Sequence, residues 1–115
     1  MARLKLISIT CKDEQDWLGS DEPFLTLGNK VIWQAHGVDA GEALCMEGLA
    51  EVSFFATTKV VLYESDHDLE EGEDLSKHDK IGEWTISEQL IGKGEQNLDF
   101  VGNGAHYLLK FFVFP

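Results

Sequence analysis

The 115-residue sequence predicts an all-β fold, an antiparallel β-sandwich of seven to eight strands that forms one domain over residues 1–115. Three observations predict this fold. Apolar and polar side chains alternate with a period of two, the same segments are rich in β-branched and aromatic residues, and short polar turns separate them. No segment of ten residues has a helical period, so we expect no helical layer against the sheets.

The first strand is expected within RLKLISITC, residues 3–11. Two sets of side chains alternate there, Leu4, Leu6, Ser8 and Thr10 against Lys5, Ile7, Ile9 and Cys11. PFLTL and KVIWQ follow as the next two strands, and Gly28-Asn29 between them are residue types of a tight turn. Residues 37–52 are the least regular part of the sequence; a short strand around Leu44–Met46 and a turn at Gly48 are expected there.

The second half of the chain predicts longer strands. FFATTKVVLYE, residues 54–64, is expected as one continuous strand, and IGEWTIS, QNLDFVG and HYLLKFFVF follow it. SEQLIGKG predicts one helical turn that ends at Gly92. Trp33 and Trp84 are expected in the core. The aromatic residues of the last strand fall on both of its faces, so we expect one face to be buried and the other to be covered or to meet a partner.

The negative charge is concentrated in two loops. The formal charge is −12, of which residues 12–22 carry −4 and residues 64–80 carry −6. This charge excludes nucleic acid as a partner and disfavours unaided binding to an anionic membrane. The sequence shows neither an export signal nor a stretch of transmembrane length, so we expect a soluble protein, cytoplasmic or peripheral to a membrane.

The two acidic loops predict a calcium site. Loops that join consecutive strands of a sandwich can converge at one end, and Ca²⁺ takes six to eight oxygen ligands in flexible geometry. Five carboxylates at the edges of the two loops are the predicted ligands: Asp16, Asp21, Glu64, Asp66 and Asp79. Without a cation, such a cluster would raise the pKa of its own members and destabilise the fold.

Other interpretations of the same residues stay open. The second acidic segment could be a solvated loop that binds nothing, and His67 and His78 could ligate zinc together with nearby carboxylates. An EF-hand is excluded, because Lys77 stands where the bidentate Glu is needed. No nucleophile elbow or phosphate-binding loop is present, so we expect a binding protein and no enzyme. Cys11 and Cys45 predict buried free thiols.

In their strand contexts the acidic loops resemble those of a C2 domain, the calcium- and lipid-binding β-sandwich of protein kinase C and synaptotagmin. GSDEPFLTL resembles the family's Ser-Asp-Pro-Tyr stretch, VVLYESD its strand that ends in Asp-x-Asp, and KHDKIGEWTIS its Asp-x-Ile/Leu-Gly step into the next strand. KVIW stands where the family has a strand with a tryptophan. The resemblance covers residues 3–114 and implies a C2-like Greek key.

The resemblance implies the same five calcium ligands, with the carbonyls of Trp17 and Ser65 as additions. Four carboxylates are alternatives: Asp13 or Glu14 for Asp16, because the first loop is one residue short, and Asp68 or Asp74 for Asp79, because thirteen positions separate Asp66 from Asp79. Trp17 and Leu18 are implied as contacts to a phospholipid membrane or a protein partner. The expected function is a calcium-binding module; the alternative is a calcium-independent interaction or structural domain.

Overall fold

The computed structural model describes residues 1–13, 22–65 and 69–115 and confirms the predicted antiparallel sandwich. The strands in these ranges are β1 (Ala2–Asp13), β2 (Pro23–Leu27), β3 (Lys30–Gln34), β4 (Ala43–Cys45), β5 (Val52–Phe54), β6 (Thr57–Glu64), β7 (Asp79–Ser87), β8 (Gln96–Gly102) and β9 (Ala105–Phe114). Two short 3-10 turns occupy Leu75–Lys77 and Glu88–Leu90. Within the described ranges, no helix is long and apolar enough to cross a membrane.

Two sheets form the sandwich. The first sheet has the order β4-β1-β9-β8, with β5 also paired to β1, and the second sheet has the order β3-β2-β6-β7. All of the pairs are antiparallel. The core lies between the sheets, and its largest fully buried side chains include Tyr107, Phe100 and Phe111. In β9 the expected split is confirmed, since Phe111 is buried while Phe112 and Phe114 stack on each other on the outer side.

A β-bulge in β1 overturns the simple alternation expected for that strand. The register against β9 shifts between Leu6 and Ser8, so the inward set changes from Leu4 and Leu6 to Ile9 and Cys11. One extra residue in a strand moves every later side chain to the opposite face. The bulge thus buries Leu4 and Leu6 of one expected set and Ile9 and Cys11 of the other, and it leaves Ile7 and Ser8 outside the core.

The predicted continuous strand over residues 54–64 is wrong. β5 ends at Phe54 and β6 begins at Thr57, with a turn at Phe55 and Ala56 between them. Ala56 has φ 54°, which places it in the left-handed region that non-glycine residues rarely occupy. The turn lets the chain leave the first sheet and enter the second.

The other local predictions divide into confirmed and corrected ones. Gly28 and Asn29 both have positive φ, as a two-residue hairpin turn requires, and Gly92 with φ 76° follows the predicted helical turn. Trp84 is not a core residue: it is 45% exposed, and its indole Nε1 donates to the carbonyl oxygen of Asp99 on β8. Cys11 and Cys45 are thiols outside any disulfide; Cys11 is buried as expected, but Cys45 is exposed.

Candidate functional site

Two predicted ligands meet at one end of the second sheet. Glu64, the last residue of β6, is the direct register partner of Asp79, the first residue of β7. On its other side Glu64 is paired with Pro23, where β2 begins. Directly opposed residues on antiparallel strands have Cβ atoms about 4.5–5.5 Å apart and project to the same face. The two carboxylates are therefore neighbours, and we call the end of the sandwich where they lie the acidic pole.

The first sheet reaches the same pole. β1 ends there at Asp13, opposite His106 at the start of β9, and the β8–β9 hairpin closes the sheet. The hairpin contacts the second sheet, because Asn103 donates from Nδ2 to the carbonyl oxygen of Lys80 at 2.7 Å. A side chain at Gly102 would collide with the backbone of Ile81. Glycine at this position therefore allows the two sheets to approach closely at the acidic pole.

Glu64 is held inside the acidic pole. It follows Val60 and Leu62 in the inward-facing set of β6, and only 2% of its surface is exposed. The backbone N–H of Glu22 donates to its Oε1 at 3.2 Å, and the N–H of Ser65 donates to the carbonyl oxygen of Glu22. These bonds connect the end of β6 to the chain just before β2. Asp79 is exposed, so the pair has one buried and one accessible carboxylate.

The described residues alone do not complete a metal centre. In residues 1–13, 22–65 and 69–115, no three His, Cys, Asp or Glu side chains lie together in a way that could hold a metal ion. Eight residues of the predicted sites lie outside the described ranges: Glu14, Asp16, Trp17, Leu18, Asp21, Asp66, His67 and Asp68. Asp13, an alternative ligand within the described ranges, is exposed at the end of β1 in the first sheet. The assignment of the ligands stays a prediction.

Part of the second acidic segment covers the outer face of the second sheet; we call residues 69–78 the acidic strap. The outward residues of β2 and β6 alternate with core residues and lie outside the core cluster. Nevertheless Phe24 is 1% exposed, Thr26 2% and Val61 8%. The strap lies over this face, since Leu75 and its neighbours line a groove together with Thr26 and Tyr63. These ten residues are thus not simply a loop that stays in water.

A buried contact within the strap positions the side chain that meets the sheet. His78 Nε2 lies 3.0 Å from Glu73 Oε2, and the two side chains are 5% and 17% exposed. The imidazole ring also meets the edge of Phe24, with the ring centroids 5.1 Å apart, and Phe24 stacks on Tyr63. His78 therefore contacts Glu73 within the strap and Phe24 of β2 at once. The sequence indicates this histidine only as an alternative zinc ligand, and no motif in it points to the contact with Glu73.

Asp74 lies on the strap, and its side chain accepts hydrogen bonds within its own turn. It caps the 3-10 turn at Leu75–Lys77, where its Oδ1 accepts from the backbone N–H of Ser76 at 3.0 Å and from the Ser76 hydroxyl at 2.6 Å. These bonds hold the pKa of Asp74 below its ordinary value, because they favour the charged carboxylate. Asp74 lines the groove over the outer face together with Thr26 and Asn29.

One sequence signal could have indicated the covered face. In PFLTL every residue is buried, so β2 is covered on both sides. A short, nearly continuous apolar run is typical of strands buried on both faces, whereas a strand with one solvated face alternates. Something had to cover the outer side of β2, and the sequence gives no sign that a segment rich in carboxylates does so.

Comparisons with known proteins bear on the fold. No family model matches the chain, and no curated protein matches it. Among solved structures, the structure of a C2 domain aligns with 99% of this chain and 97% of its own, with a TM-score of 0.48 and 13% sequence identity. The Drosophila C2-DSL-EGF1 structure aligns with 98% of this chain and 66% of its own, with a TM-score of 0.43 and 10% identity.

Both structures are named for a C2 domain, the family that the sequence motifs resemble. At these identities the likeness concerns the path of the strands alone, and it says nothing about what this chain binds.

Proposed function

We propose that this domain binds Ca²⁺ at the acidic pole, with Glu64 and Asp79 as two of the ligands. The observation that carries the proposal is the cross-strand pairing of these residues, which places two carboxylates side by side on one face of the second sheet. The remaining ligands in this proposal are those predicted from the sequence, Asp16, Asp21 and Asp66, with Asp13, Glu14 and Asp68 as alternatives.

The donor set suits a hard cation. Carboxylates are the preferred ligands of Ca²⁺, which needs six to eight oxygens at about 2.3–2.6 Å. Glu64 and Asp79 supply at most four oxygens, and the adjoining segments 14–21 and 66–68 contain five more carboxylates and further carbonyls in sequence. The bound ion would supply positive charge to this cluster and would link carboxylates from separate parts of the chain.

Electrostatics supports a cationic ligand here. For carboxylates on two directly opposed residues, a charge separation equal to the Cβ separation of about 5 Å gives a repulsion of roughly 1–3 kcal/mol for an effective dielectric constant between about 80 and 20. Burial of Glu64 adds a desolvation cost. The hydrogen bond from Glu22 orients Glu64 and offsets part of this cost, and a divalent cation would reverse the sign of the repulsive interaction.

Thermal unfolding in the presence and absence of Ca²⁺ tests the proposal. A ligand at a hundredfold excess over its Kd adds about 2.7 kcal/mol to the free energy of unfolding. With an unfolding entropy of about 2.1 cal/mol/K per residue, this raises the Tm by about 10 °C. We expect Asp79→Asn to remove most of the Ca²⁺ response. The matched control is Glu95→Gln, which changes an exposed carboxylate outside the acidic pole and should leave the response intact.

Two results would contradict calcium binding. One is a shift in Tm with millimolar CaCl₂ that MgCl₂ or added NaCl reproduces. The other is a Ca²⁺ response that Asp79→Asn leaves intact, or that Asp79→Asn and Glu95→Gln reduce by the same amount.

The second candidate function is a calcium-independent interaction or structural domain. A specific observation favours it: four of the eight carboxylates in residues 64–80 lie on the acidic strap, where they need no metal to explain them. Under this alternative, Asp79→Asn stabilises the domain by relieving repulsion, and Ca²⁺ changes the Tm of neither the wild-type protein nor the variant. The same unfolding experiment therefore separates the two candidates.

A further inference from the structure

We propose that the acidic strap is a hinged cover that opens as a unit from the second sheet while the sandwich stays folded, and that a cation at the acidic pole holds it closed. The second half of this inference rests on the proposed function. The first half rests on how the strap is attached, and it can be tested without any metal.

The backbone hydrogen bonds within the strap close on the strap itself. The N–H groups of Glu73, Lys77 and His78 donate to the carbonyl oxygens of Glu70, Asp74 and Leu75. Asp74 caps the 3-10 turn through Ser76, and the N–H of Glu70 donates to the side chain of Glu73. Each of these bonds joins two residues of the strap, and none of them reaches the sheet. The sheet ladder resumes at Asp79, where β7 pairs with β6.

Side-chain contacts fasten the strap to the sheet. His78 packs its ring against Phe24 while it pairs with Glu73, and Leu69 and Leu75 are half-buried. Glu73 is a hydrogen-bond partner of the buried His78 imidazole, so its removal would disturb the placement of this ring against Phe24. Glu73 is therefore a positioning residue whose loss should release the strap.

Two features weaken the closed state. The strap has a formal charge of −3 in ten residues, and it adjoins the two carboxylates of the acidic pole. Its fit to the sheet is also incomplete, because a groove of about 280 Å³ separates Leu75 and Ser76 from Thr26, Asn29 and Tyr63. Side chains that line such a space lose van der Waals contacts that close packing would supply. A segment attached in this way opens at lower cost than the whole domain unfolds.

The strap is continuous with the acidic pole. His78, its last residue, is directly followed by Asp79, whose register partner is Glu64. A cation bound to Glu64 and Asp79 would fix the backbone next to His78 and would reduce the repulsion between the acidic pole and the strap. Both effects favour the closed state. By linkage, a closed strap would in turn raise the affinity for the cation.

Amide hydrogen exchange of the full chain, followed by mass spectrometry, tests both halves. In EDTA we expect peptides that cover residues 69–78 to exchange at least tenfold faster than peptides from β9, which report unfolding of the core. Glu73→Ala should accelerate exchange of the strap about tenfold further and leave β9 unchanged. The matched control, Glu71→Ala, removes an exposed carboxylate from the same strap and should not accelerate it.

The outcomes separate the hinged cover from the calcium site. Saturating CaCl₂ should slow exchange of residues 69–78 at least tenfold in the wild-type protein. If CaCl₂ raises the Tm but leaves this exchange unchanged, calcium binding stands and the coupling is wrong. If the strap exchanges no faster than β9 in EDTA, or if Glu73→Ala and Glu71→Ala behave alike, the hinged cover is wrong whether or not calcium binds.

Discussion

Replacing Phe24 by alanine should be severely destabilising, although this side chain points away from the core between the sheets. Phe24 is 1% exposed because it lies between Tyr63, whose ring centroid is 5.0 Å away, and His78 of the acidic strap. Truncation of a fully buried Phe costs about 3–5 kcal/mol, from lost burial and the cavity that remains. With about 2.1 cal/mol/K of unfolding entropy for each of 115 residues, the Tm should fall by about 12–20 °C.

Phe114→Ala is the matched control. Phe114 also points outward, from the other sheet, but it is 38% exposed and stacks only on one side against Phe112. Its truncation should cost about 1 kcal/mol, or roughly 4 °C. Thermal unfolding by circular dichroism in EDTA measures both variants. If the two variants lose the same small amount of stability, the strap does not cover the second sheet and the argument for a covered face fails.

A double-mutant cycle links this prediction to the fastening of the strap. If Glu73→Ala releases the strap, Phe24 becomes partly exposed in that background, and its truncation should cost less than in the wild-type protein. Strict additivity of Phe24→Ala and Glu73→Ala would mean that the two sites are independent.

Three further predictions concern the charged groups and the first loop. Glu64→Gln keeps an acceptor for the N–H of Glu22 but removes the repulsion with Asp79. It should therefore raise the Tm in EDTA by about 4–12 °C, equivalent to roughly 1–3 kcal/mol, and abolish the response to Ca²⁺. A lower Tm with the response retained would contradict this prediction. The pKa of Asp74 is lower in the folded state than in the unfolded state. Its contribution to stability is therefore present above the unfolded pKa and disappears as the pH falls through the folded pKa. Asp74→Ala should have a lower urea midpoint than wild type at pH 7 and the same midpoint in strong acid. If a membrane is the partner, phosphatidylserine vesicles should co-sediment the protein only with CaCl₂, and Trp17→Ala should weaken this binding more than Trp84→Ala; equal binding in EDTA would contradict the role of the ion.

The strands were predictable because they depend on local pattern. Alternation, β-branched residues and turn chemistry are properties of neighbouring residues, so the antiparallel sandwich and the Gly28-Asn29 turn follow from the sequence. The position of the candidate site could likewise be predicted only as far as the strand ends that carry it. Glu64 and Asp79 stand at strand ends in the sequence, and strand ends of a sandwich meet at its poles.

The failures have one physical cause. A bulge after Leu6 and a turn at Ala56 each shift the chain by a residue or two, and only packing against the opposite sheet decides where such a shift is favourable. The fastening of the strap by His78 and Glu73 likewise depends on a contact with Phe24, which is more than fifty residues away in the chain.

The sequence by itself determined that this chain forms strands, that its negative charge lies in two loops and that those loops follow strand ends. Tertiary structure decided how the second of these loops is used. It divides the segment into a pair of carboxylates at the acidic pole and a strap that shields the outer face of a sheet. Nearest-neighbour preferences cannot encode this division, because it depends on which distant surface remains uncovered once the two sheets have packed.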